Sequence, residues 1–194
     1  MAARVARHNW YVPTGVRPAR TPDVDDIAAL QVRSWRANFA NIVPAAELAA
    51  LDEDELAMTW ASAILNPPTP THQLMVAVED NLGTDVLVGY AAFGAGTDPD
   101  ANPGTAELLA LVVDPGHTRM GHGSRLLAAT VEQLRASGHR TLVTWLPLDD
   151  EITRGFLSSG GWGPDSAYRD RVISDDKILR EVRLVTDISV NSGD

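Results

Sequence analysis

Two glycines one residue apart, Gly121 and Gly123, separate an apolar, β-branched run from an amphipathic one in Leu108 to Leu127, LLALVVDPGHTRMGHGSRLL. Glycine removes the side chain where backbone must approach something closely, and a helix that starts there presents N–H groups without intrahelical partners. The helix dipole adds positive charge at the same end, and Arg119 and His122 stand beside it. The spacing therefore reads as a strand, a turn able to hold an anion such as a phosphate, and a helix. Glu107, ahead of the strand's apolar run, and His117, in the turn, are the nearby groups that can move protons. A carboxylate there can take a proton directly or through water, and an imidazole titrates near neutrality. Each has a plainer alternative: Glu107 as a solvent-facing strand residue, His117 as a solvated loop residue, and the turn as a packing loop.

Two phosphate loops are excluded at once. A P-loop needs Lys and Ser/Thr after its second glycine, and a dinucleotide-binding fingerprint needs a third glycine where Leu126 stands. The stretch instead resembles the acetyl-CoA motif of the GNAT N-acyltransferase superfamily, V-x-P-x-x-[Q/R]-x-x-G-x-[G/A], through Val113, Pro115, Gly121 and Gly123. Thr118 occupies the Q/R position, with Arg119 displaced by one. The segment GFLSSGGW, Gly155 to Trp162, resembles the family's A-x-x-F-Y-x-x-x-G-F segment, and VRPARTPDVDDIAALQVRSW resembles the start of many bacterial members.

The elements around the turn agree with one domain. At 194 residues, 44% hydrophobic and without cysteine, the chain can bury a full core, and thiol nucleophiles and cysteine metal sites are excluded. No His/Asp/Glu spacing makes a metal site. A formal net charge of −10 argues against nucleic acid and favours a cationic partner such as an amine. No apolar run reaches the length of a membrane span, and charges stand where a signal peptide needs an apolar core, so the expected location is cytoplasmic.

In chain order, residues 1–14 read as a loose arm, Val16 to Ala19 as an edge strand, and Thr21-Pro22-Asp23 as the start of a helix carrying Ile27, Leu30, Ser34 and Trp35 on one face. A second helical region spans Pro44 to Leu65, with Asp52 to Glu55 as a cap between two pieces, and Pro67 to Pro70 ends it. Leu74 to Glu79 and Val86 to Gly94 read as a hairpin through Asn81-Leu82-Gly83, followed by the strand Ala106 to Val113. After the helix Gly123 to Ala136 come a strand, Thr141 to Trp145, a helix capped by Asp149-Asp150 and running through Ser158, and two closing strands, Ala167 to Val172 and Lys177 to Val185. Residues 187–194 read as a frayed tail. This is the order of a GNAT domain over residues 15–186. The expected fold class is α/β: a mixed six- to seven-stranded sheet flanked by helices, with strands four and five splayed.

The chemistry the resemblance implies is direct attack of a primary amine, of a small molecule or peptide, on the thioester of acetyl-CoA. It assigns the pyrophosphate to the turn residues Thr118, Arg119, Met120, Gly121, His122, Gly123 and Ser124, mostly through backbone N–H groups. It assigns the pantetheine arm to backbone groups of Leu111, Val112 and Val113, one of whose N–H groups also polarises the thioester carbonyl. Glu107 stands where histone-type members carry a catalytic glutamate, and His117 is the second candidate base. The proton donor to the thiolate is commonly the Tyr that follows Phe in the matched segment. Here that position is Leu157, which leaves Ser158, Tyr168 or water. Asp150 replaces a CoA-contacting Asn and reads as a helix cap.

Three functions follow: an N-acetyltransferase, an acyl-CoA-binding or regulatory protein without turnover, and an α/β protein whose turn binds nothing. Trp35, Phe39, Trp60 and Trp162 are the aromatics available for an acceptor cleft, and their helical spacing favours core packing for each. Exposed edges of the closing strands allow a homodimer.

Overall fold

A computed structural model describes residues 14–174 and 177–189, so the arm over residues 1–14 lies outside the described residues except for Thr14, and the tail from residue 190 on lies outside them. Asp187 ends a strand and Ile188 is buried in the core, which corrects the expectation that the chain frays from Asp187. The chain runs β1 (Thr14–Pro18), α1 (Val24–Asn38), α2 (Ala45–Ala49), α3 (Glu53–Leu65), β2 (Gln73–Asn81), β3 (Thr84–Ala95), β4 (Thr105–Val113), α4 (His122–Ala136), β5 (Thr141–Pro147), α5 (Glu151–Ser159), β6 (Gly163–Ser174) and β7 (Lys177–Asp187).

Local chemistry sets these boundaries. Leu82 and Gly83, at φ 54° and 87°, close β2 onto β3 in the doubly positive turn that matches strand twist, and Asp80 accepts from the Gly83 N–H at 2.6 Å. The Asp52 side chain accepts from the Glu55 N–H at 3.0 Å, so the acidic run is the cap between α2 and α3. Asp150 caps α5 in the same way, accepting from the Thr153 N–H at 3.0 Å. The closing strands are longer than the alternation predicts. A register shift between Pro164 and Tyr168, with Ser166 at φ 74°, breaks the pattern at the start of β6 without ending the strand.

Seven strands form one mixed sheet in the order β1-β2-β3-β4-β5-β7-β6. Alternation along β3 divides the core: Tyr90 and Ala92 pack with Ile27, Leu30 and Trp60 on the α1 and α3 side. Ala91 and Phe93 pack with Leu126, Leu134 and Leu157 on the α4 and α5 side.

The sheet is deliberately incomplete at its centre. Parallel pairing of β4 with β5 covers only Thr105 with Thr141, Ala106 with Leu142 and Glu107 with Val143. Beyond that point β5 stays paired to β7 through Pro147, while β4 stays paired to β3 through Val113. Leu109 is an extra residue in β4 between Leu108, opposite Phe93, and Ala110, opposite Ala92. Such a bulge bends its strand, here where the two strands part.

Candidate functional site

The turn after β4 is held from several sides. Asp114 accepts from the Gly116 N–H at 2.8 Å and pairs with Arg33 of α1 at 2.7 Å. Arg119 and Gly121 take positive φ, 63° and 84°, and α4 starts at His122. The first bond of its ladder is Arg125 N–H to Gly121 O, so the N–H groups of His122, Gly123 and Ser124 stand ahead of it without helical partners.

The two glycines do different jobs. Gly121 is the left-handed residue, and a Cβ there would lie 3.0 Å from an Arg125 guanidinium nitrogen. Gly123 has ordinary helical backbone, and its Cβ would meet Phe156 Cζ at 3.5 Å and Val113 Cγ2 at 3.7 Å. Those are ordinary contact distances, so the position asks for neither a special φ nor a missing methyl.

Thr118, Arg119 and Met120 are exposed. The charge expected from His122 is absent. Its side chain is 1% exposed, Arg125 donates to its Nδ1 at 3.0 Å, and its Nε2 lies 2.8 Å from Glu79 Oε1. Burial first, and Arg125 second, push its pKa below the ordinary value, so the ring is neutral at neutral pH. Arg125, which sequence reading passed over, supplies the cation, and it also donates to Met120 O at 3.1 Å.

The gap between β4 and β5 offers a ready edge. Asp114 N–H donates to Val88 O of β3 at 2.9 Å, and alternation along the ladder turns the groups of Val112 toward β3 as well. Leu111 and Val113 therefore face the gap, which corrects the expectation that all three residues present backbone there. The Val113 carbonyl accepts from Ser34 Oγ at 3.2 Å, leaving its N–H to the gap. These groups fit an extended amide-bearing arm, and the turn fits its phosphates, which is the arrangement that CoA requires.

Below the gap lies a cavity of about 440 Å³, lined by β4 and β5, by α5, by Trp35 of α1, Phe39 just after it and Leu48 of α2, and by the last hairpin. Glu107 lines it at the fork of the two strands, 7% exposed and without a hydrogen bond to any described residue. Burial raises its pKa above the carboxylate norm, Asp98 adds repulsion, and Arg169 and Arg171 pull the other way. Trp35 and Phe39, in edge contact at 5.8 Å, line the cavity, whereas Trp60 donates to Gln31 at 2.8 Å and Trp162 is core.

The other candidates sit elsewhere. His117, with Nδ1 3.4 Å from Asp114 Oδ1, lies beyond the end of β4 and outside the cavity lining. Six residues of strand between Glu107 and Val113 amount to roughly 20 Å. Ser158 is exposed on α5 and does not line the cavity. Tyr168, 66% exposed, carries Arg180 over its ring, while Leu157 is fully buried in the cavity wall. Sequence reading missed Thr144, Trp145, Arg169, Arg171 and Glu181, which line the cavity, because only the fold brings β5 and the last hairpin around the free end of β4.

The comparisons agree with this geometry. The Acetyltransferase (GNAT) family model matches residues 29–160. The uncharacterized N-acetyltransferase YuaI of Bacillus subtilis is 30% identical over 132 residues, 68% of this chain and 70% of that protein. The PaiA N-acetyltransferase of Thermoplasma acidophilum, solved in complex with coenzyme A, superposes with a TM-score of 0.64 at 14% identity, over 87% of this chain and 98% of that one. YncA of Salmonella typhimurium, solved with its cofactor acetyl-CoA, gives 0.62 at 22% identity over 93% and 96%. The solved structures share the fold, and the family match together with the identity to the Bacillus protein places the sequence: the chain belongs to the GNAT acetyltransferase family.

Proposed function

We propose that the protein transfers an acetyl group from acetyl-CoA to a primary amine of a small molecule or peptide, with Glu107 as the base. The observation that carries this reading is a nearly buried carboxylate, unpaired among the described residues, in the cavity wall where β4 and β5 part. Acetyl-CoA supplies an activated acyl group as its thioester. The N–H groups at the start of α4 and Arg125 hold the phosphates, and the Leu111 and Val113 backbone holds the arm in the gap.

An ammonium cannot attack, so Glu107 takes its proton, and burial makes it the better base by raising its pKa toward neutrality. The neutral amine then forms the C–N bond and passes its second proton to water, the C–S bond breaks, and a backbone N–H of β4 stabilises charge on the carbonyl oxygen between these steps. Leu157 cannot donate, and Ser158 and Tyr168 lie outside the cavity lining, so water protonates the thiolate. Thiolates leave readily near neutral pH, so this costs rate and not the reaction.

Leu157 also favours a second reading, an acyl-CoA-binding protein without turnover. Incubation with acetyl-CoA and a panel of amines, followed by free thiol release, separates the two. Amine-dependent thiol release is expected, and binding of CoA without release under any amine would leave the second reading.

A further inference from the structure

Arg169 and Arg171 of β6 and Glu181 of β7 line the cavity together. Glu181 is 7% exposed and committed to Arg169, whose Nε lies 2.5 Å from its carboxylate and whose guanidinium lies 4.4 Å from the centre of the Trp145 ring. Arg171 has one long contact of 3.4 Å to the same oxygen, and its side chain is 59% exposed. Glu181 cannot close on both guanidiniums, so Arg171 is left without a close carboxylate partner among the described residues, although Glu47, Glu107 and Asp150 also line the cavity.

Transfer to a simple amine does not need that charge. A guanidinium without a close partner opposes an incoming ammonium locally, unless the acceptor carries an anion of its own to meet it. Glu107, Arg169 and Arg171 line the same cavity, so the base and the loosely paired guanidinium face one small molecule. Guanidinium presents paired N–H donors that match a carboxylate. Trp35, Phe39 and Leu48 offer an apolar surface in the same cavity. Glu47 and Asp150 also line it, but Asp150 is occupied in capping α5, which leaves Glu47 on α2 as the group that would favour a second cation instead.

We infer that the acceptor is an α-amino acid with an apolar side chain, its amine toward Glu107, its carboxylate on Arg171 and its side chain against Trp35 and Phe39. This rests on the reading of Glu107 as the base. The ammonium loses one proton to Glu107 and, once the C–N bond has formed, a second to water; the C–S bond breaks, the thiolate takes a proton from that water, and the carboxylate is unchanged.

The test uses L-leucine, L-leucinamide and 1,4-diaminobutane with acetyl-CoA, scored by thiol release, and calorimetric binding of the first two to the CoA-saturated protein. The amide's amine is the less basic, so intrinsic reactivity works against the expected order. L-Leucine should exceed the amide by at least about 30-fold in kcat/KM and in the same direction in affinity, since a site built around a charged group rejects the analogue lacking it. Arg171→Gln, on an exposed side chain, should collapse that preference to about threefold or less, and Arg171→Lys should recover part of it. Equal use of acid and amide, or preference for the diamine, overturns the inference while leaving the acetyltransferase standing. Neither turnover nor binding of L-leucine also overturns it, and thiol release with other amines would then show that the acetyltransferase reading survives alone.

Discussion

The Thr144 hydroxyl donates to the Leu108 carbonyl at 2.8 Å, one residue beyond the last backbone pair between β4 and β5. A side chain thus completes the ladder where the backbones part, and the fork that carries Glu107 is closed below and open above. Thr144 is 4% exposed, so Thr144→Val keeps the shape but leaves a buried carbonyl unsatisfied. A loss of about 1–3 kcal/mol is expected, read by denaturant unfolding. An unchanged midpoint and slope would mean that the fork does not depend on this bond.

Gly121 and Gly123 should separate under substitution. Gly121→Ala strains a residue at φ 84° and crowds Arg125, so CoA affinity should fall by about tenfold or more in calorimetry. Gly123→Ala places a methyl in ordinary contact with Phe156 and should stay within about threefold. Thr118→Ala should matter as little, because its side chain is exposed and backbone carries the binding. Equal loss at both glycines would contradict this division.

The turn and the hairpin were legible in the sequence because each is written in consecutive residues: Val113 to Gly123 for one, Asn81-Leu82-Gly83 for the other. Glu107 was singled out by its offset along the same strand, and it lies in the cavity wall. The cavity's polar wall was not, since Arg171 and Glu107 come to line one cavity only after β7 inserts between β5 and β6. The spacing of Gly121 and Gly123 likewise hid that one takes a left-handed backbone while the other sits in ordinary helix with room for a methyl. His122 looked like a charge on the phosphate turn because sequence does not reveal that its ring is buried against Glu79.

His122 should titrate low. Its folded pKa lies below the ordinary 6.5, held down by burial and by Arg125 and His117, with Glu79 opposing. A depressed pKa contributes stability that is present above the unfolded value and lost as pH falls through the folded one. Nitrogen NMR shifts of the imidazole should show a neutral Nε2–H tautomer down to below pH 6.5. Titration at or above that value would contradict the buried, Arg125-bonded ring.

Glu107 should weaken the fold it serves. Its pKa is raised, first by burial and then by Asp98, so its contribution to stability is fully present below the ordinary value near 4.5 and is lost as pH rises through the raised one. Glu107→Gln should therefore unfold later than wild type at neutral pH, with the difference closing as pH falls toward 4.5. A variant less stable at neutral pH would mean that the carboxylate is paired and held in place rather than kept for a proton.

The most direct measurement is the pH dependence of amine-dependent thiol release for wild type and Glu107→Gln, with CoA affinity measured on both. The expected result is a loss of about 10²-fold or more in turnover near neutral pH, with CoA affinity nearly unchanged. The two curves should converge as pH rises above the amine's own pKa, where the substrate arrives neutral and needs no base. Parallel curves with a constant ratio would contradict the assignment of Glu107 as the base and leave it a residue that positions the substrate or the strand.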